Sequence, residues 1–97
     1  MAAGDVVTIV PTSVNNAAYL TIQPGEGVEW KIDNIQYSQA MELYKTDGSN
    51  PVKVDSDTTS GGRFNMRLRC TNTVYYAIKN VSGSAAGYFS YDGVVAK

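Results

Sequence analysis

The sequence predicts an all-β fold: a two-sheet sandwich of about eight short antiparallel strands. Three observations carry that reading. Apolar and polar residues alternate with a period of two, as in Gly27–Ile35 (GVEWKIDNI), where Val28, Trp30 and Ile32 take one side and Glu29, Lys31 and Asp33 the other. Turn signals recur at intervals of about ten residues. No segment shows apolar residues at the three-to-four spacing of an amphipathic helix over two turns. A jelly roll is the expected arrangement, and an immunoglobulin-like sandwich the alternative. The 97 residues form one domain, 1–97, of a size that buries roughly 60–65% of its unfolded surface.

The first strand is Asp5–Val10, stopped by Pro11, which has no N–H to donate to a ladder. VNN turns the chain into Ala18–Ile22, where Leu20 and Ile22 share a face. After QPGEG the strand Val28–Tyr37 follows, and its phase breaks at Asn34–Ile35. A bulge there would return Ile35 to the buried side. Met41–Thr46 places Met41 and Leu43 against Glu42 and Tyr44, and TDGSNP supplies the positive φ of a tight turn. Val52–Asp55 is short and leads into a polar loop, SDTTSGG.

Arg63–Cys70 sets Phe64, Met66, Leu68 and Cys70 against Arg63, Asn65, Arg67 and Arg69. Val74–Asn80 sets Val74, Tyr76 and Ile78 against Tyr75, Ala77 and Lys79. Tyr88–Tyr91 is the last strand, and DGVVAK adds an Asp-Gly turn before a terminal apolar pair. Met1–Val10 and Val94–Lys97 are candidate arms, because termini are mobile unless tied down.

Function classes narrow by composition. The chain has no histidine, which removes the commonest general base, zinc ligand and partner of a nucleophile. Net charge is −1, so no global field favours nucleic acid or an acidic membrane. No apolar run is long enough to span a bilayer, and MAAGDVV lacks the basic start and apolar core of a signal peptide. With one cysteine, Cys70, which cannot form an internal disulfide, the expectation is synthesis in a reducing cytoplasm.

Asp55 and Asp57 fall on one side of an extended chain, with Asp47 within reach across the loop, but the spacing matches no calcium loop. Their plain reading is the polar furniture of turns, so no catalytic residue, metal or cofactor is expected. Cys70, without a histidine to activate it, reads as a small core residue. Arg63, Arg67 and Arg69 form a basic row that reads as a solvated face paired with acids such as Glu29, Asp33 and Glu42. Arg67 and Arg69 also suit a protein interface, where arginine is enriched. Among the seven tyrosines and other aromatics, Trp30, Tyr76, Phe64 and Tyr88 fit the core. Tyr19, Tyr44, Tyr75 and Tyr91 fall on the opposite phases, as candidates for an interface or for stacking on sugars.

Taken together and in order, MAAGDVV, AYLTIQPGEGVEWKIDNI, MELYKTDGSN, DSDT, CTNTVYYAIKNVSGSA and YDGVV resemble a group of small virion-associated β proteins of tailed bacteriophages. The resemblance implies a non-enzymatic structural protein of the virion: a capsid decoration protein or a neck or tail accessory. Its partners would be other virion proteins and copies of itself. A carbohydrate-binding module of a phage appendage, using Tyr44, Tyr75 or Tyr91, is the alternative.

Overall fold

The computed structural model describes residues 3–97, which hold ten strands and no helix. In chain order these are β1 (Val6–Thr8), β2 (Thr12–Val14), β3 (Tyr19–Ile22), β4 (Trp30–Tyr37) and β5 (Met41–Thr46). Then come β6 (Val52–Asp57), β7 (Gly61–Arg63), β8 (Leu68–Cys70), β9 (Tyr75–Asn80) and β10 (Gly87–Val95). Sheet one runs β1–β10–β4–β7, with β2 also pairing β10 and β8 also pairing β4. Sheet two runs β3–β9–β5–β6.

Two strand positions are interrupted: β1 with β2, and β7 with β8. Counting each as one leaves eight positions, four per sheet. They nest as antiparallel pairs. The hairpin β5–β6 is innermost, then β4 with β7 and β8, then β3 with β9, and β1 and β2 with β10 outermost. Successive pairs fall alternately in sheet two and sheet one. That is the order of a jelly roll. An immunoglobulin-like order would pair the first two positions within one sheet; here they lie in different sheets.

The alternation in the sequence explains the core. Ile22, Ile32, Ile35, Met41, Leu43, Cys70, Ile78 and Phe89 are fully hidden between the sheets, with Val28 and Trp30 packed at the margin. The phase break in β4 is a bulge: Asp92 faces Asn34 but Gly93 faces Ile32, leaving Asp33 as the extra residue. Both Ile32 and Ile35 therefore point inward, as expected.

The bulge also breaks the strand read at Arg63–Cys70. Arg63 faces Ile35 and Leu68 faces Ile32, so residues 64–67 must pass opposite only residues 33–34. The surplus leaves the ladder through left-handed backbone at Asn65 (φ 57°) and Arg67 (φ 55°), while Met66 N–H donates to Asp33 O at 2.8 Å. Phe64, expected in the core, is instead 65% exposed.

The last strand corrects two further expectations. No turn forms at Asp92–Gly93; β10 runs straight through as nine residues. Its phase puts Phe89, Tyr91 and Val95 inside and leaves Tyr88 exposed, the reverse of the reading for both tyrosines. Val14, placed in a turn by the sequence, is a buried residue of β2, and Val74 is exposed.

Nor are the terminal segments free arms. Val6–Thr8 pairs with Asp92–Val94, Gly4 N–H donates to Val95 O, and Glu29 N–H donates to Lys97 O. Met1 and Ala2 lie outside the described residues.

Candidate functional site

Sheet two buries Leu20, Ile22, Met41, Leu43, Tyr76 and Ile78, so the alternate residues face outward. Register sets them in rows. Tyr19 lies beside Lys79, and Lys79 beside Glu42; Thr21 lies beside Ala77, and Ala77 beside Tyr44; Tyr75 lies beside Thr46. Three tyrosines from three separate strands thus surround the small side chain of Ala77. The result is a shallow groove of about 260 Å³, lined by Tyr19, Thr21, Tyr44, Thr46, Tyr75 and Ala77, with Gly48 and Pro51 at its end.

Two of the three rings are held in place. Tyr19 and Tyr44 meet edge to face with centroids 6.1 Å apart, and Lys79 Nζ lies 5.6 Å from the Tyr19 centroid. Tyr44 Oη donates to Glu42 Oε1 at 2.5 Å, and Lys53 Nζ is 3.6 Å from Glu42 Oε2. The carboxylate partner, then burial, push the Tyr44 hydroxyl up to about 12. The same hydrogen bond holds the Glu42 carboxyl below its ordinary value. At the turn beyond, Asp47 accepts the N–H groups of Ser49 and Asn50, which fixes the Gly48–Pro51 rim.

Of the six candidates, the fold gathers Tyr19, Tyr44 and Tyr75. Tyr91 is taken away: it is 7% exposed, its ring 6.2 Å from that of Trp30 inside the sandwich. Arg67 and Arg69 sit on sheet one, at and beside β8. Arg69 reaches Glu29 at 3.9 Å, one of the acids expected to pair with the basic row. Arg63 turns inward instead. Its Nε donates to Asp55 at 2.9 Å and its Nη1 to Asp57 at 3.3 Å, while Tyr37 Oη donates to Asp57 at 2.6 Å. Asp55 and Asp57 do share a side, as alternate residues should, but what they grip is an arginine. Asp47 does not join them, and no group of three or more potential metal ligands gathers among the described residues. Burial pushes the Cys70 thiol up to about 12, so it is held as the thiol.

Sequence reading put Ala77 and Lys79 on the same side of their strand as Tyr75 but did not single them out as site residues, because their contribution depends on cross-strand register. It also missed Asn80, which is fully hidden. Asn80 Nδ2 donates to Val14 O and Ala85 O, and its Oδ1 accepts from Ser82 N–H, which pins the loop before β10.

Scanned against known family models the chain matches none, and a search of curated proteins finds no match.

Proposed function

We propose that this chain is a non-enzymatic structural protein of a tailed-phage virion, a capsid decoration or neck or tail accessory component working by repeated surface contact. The observation that carries the reading is the gathering of Tyr19, Tyr44 and Tyr75 on one outer face of a small jelly roll. Tyrosine offers large contact area with few rotors to freeze. Tyr19 and Tyr44, packed edge to face, have surrendered part of that freedom already.

Two further points support it. The sequence has no histidine and resembles small virion β proteins through most of its length. The outside of sheet one also offers contact positions, with Val6, Phe64 and Tyr88 each more than 60% exposed. A rigid block with working positions on both faces suits a bridge between neighbours. Many modest contacts repeated by symmetry then raise the effective concentration of each. The protein would be made in the host cytoplasm and end in the particle.

Mass spectrometry of purified virions and co-sedimentation of added protein test this. The expected result is presence in the particle, and binding that falls about tenfold when Tyr44 and Tyr75 are both changed to alanine. A strict monomer, missing from purified particles and unable to co-sediment with them, would overturn the reading.

A further inference from the structure

We infer that the groove outside sheet two is a binding site for a neutral pyranose saccharide. The inference rests on the preceding reading only in taking the tyrosine face as a working surface. It names a further, small ligand for the groove within that face.

The chemistry of the lining decides the class. A pyranose ring is amphipathic, with C–H groups on its faces and hydroxyls around its rim. The groove is built in the same way: ring surfaces of Tyr19, Tyr44 and Tyr75, with the hydroxyls of Tyr75, Thr21 and Thr46 beside them. A pocket that anchors a peptide side chain would be expected to offer aliphatic walls. This lining has no aliphatic side chain larger than Ala77 and Pro51.

Size and charge agree with that class. At about 260 Å³ the groove lies just below the ~300–1,000 Å³ typical of sites for drug-sized ligands, which suits a single sugar ring. The charges around it are matched internally, since Glu42 has Lys53 at 3.6 Å and the Tyr44 hydroxyl at 2.5 Å. Lys79 lies over the Tyr19 ring. Nothing in the groove demands an anionic or cationic ligand. The edge-to-face pair and the Tyr44–Glu42 bond also set the Tyr19 and Tyr44 rings before any ligand arrives, which lowers the ordering cost of binding.

The test is a printed array of neutral and acidic oligosaccharides probed with the purified chain, followed by titration of the best neutral oligosaccharide monitored by amide NMR shifts. Binding to neutral pyranose probes is expected, with shifts centred on Tyr75, Ala77 and Tyr44. Tyr75→Ala should weaken it about tenfold or more, Tyr75→Phe far less, and Tyr88→Ala on the other sheet not at all. Ala77→Val, which keeps all three rings and fills the floor of the groove, should weaken it as well. Thermal unfolding of each variant shows that it is folded.

Two results would overturn the inference: no neutral saccharide bound by the folded chain, or binding indifferent to both Tyr75→Ala and Ala77→Val. Saccharide binding by a protein missing from purified particles would sink the virion reading and leave this one standing.

Discussion

Gly93 occupies the one place where β10 passes the bulge of β4. A Cβ built there would lie 2.1 Å from Lys31 O and 2.7 Å from Ile32 Cα, both backbone atoms that cannot swing aside. Gly93→Ala must therefore push the two central strands of sheet one apart. We expect a loss of about 3 kcal/mol in urea unfolding, at the upper end for overpacking; a loss under about 1 kcal/mol would mean that the strands yield easily. In the sequence this glycine reads as half of an Asp-Gly turn, since nothing local separates a glycine chosen for positive φ from one chosen for close approach. Tyr44 makes a second case. Its raised folded value means that the Tyr44–Glu42 bond contributes stability below the ordinary tyrosine value of about 10, lost as pH climbs toward 12. Tyrosinate absorbance should show Tyr44 among the last to ionise. Tyr37 is raised to about 12 as well, so Glu42→Gln should take one tyrosine out of the late step and leave the rest, and an undiminished late step would refute the assignment.

Between elements, the open side of the sandwich is closed by a charged clip. Arg63 on β7 and Asp55 and Asp57 on β6 reach from different sheets, and Tyr37 on β4 adds its hydroxyl to Asp57. The Tyr37 hydrogen bond is the main reason that the Asp57 carboxyl sits below its ordinary value. A lowered carboxyl stabilises the fold above its unfolded value of about 4, and that stability fades as pH falls through the folded value. Urea midpoints should therefore drop as pH falls below about 4, with a shallower drop in Asp57→Asn. An unchanged pH profile in that variant would show that the clip carries no linkage. The acids were legible as a pair; their partner was not. The alternation of Arg63 with Phe64 assigned the arginine to solvent, and only the four-against-two mismatch opposite the bulge turns that strand over.

For the molecule as a whole, the outermost pairing of the roll joins its first strands to its last. Val95 is 1% exposed, and Val94 faces both Val6 and Lys31. Removing Val94–Lys97 should therefore destabilise the domain, not merely disarm it. Burial of a valine alone is worth roughly 1.5–3 kcal/mol, before any ladder bonds are counted. That is a large share of the stability of a domain this size. Circular dichroism should show a thermal midpoint lowered by ten degrees or more, on the order of the shift expected for such a loss in a domain of about 100 residues. A truncated chain that melts like the full one would restore the segment as a free arm.

What the sequence determined by itself is the layered β architecture, most of the core, the bulge that returns Ile35 inward, and a class of outward tyrosines. Those follow from period-two alternation and turn chemistry, which act between residues close in the chain. Register, the phase of β10 across Gly93, the burial of Tyr91 and the gathering of Tyr19, Tyr44 and Tyr75 around Ala77 were decided only by the tertiary structure. Each depends on which distant strand lies alongside, and a shift of one residue in that pairing moves every side chain to the opposite face.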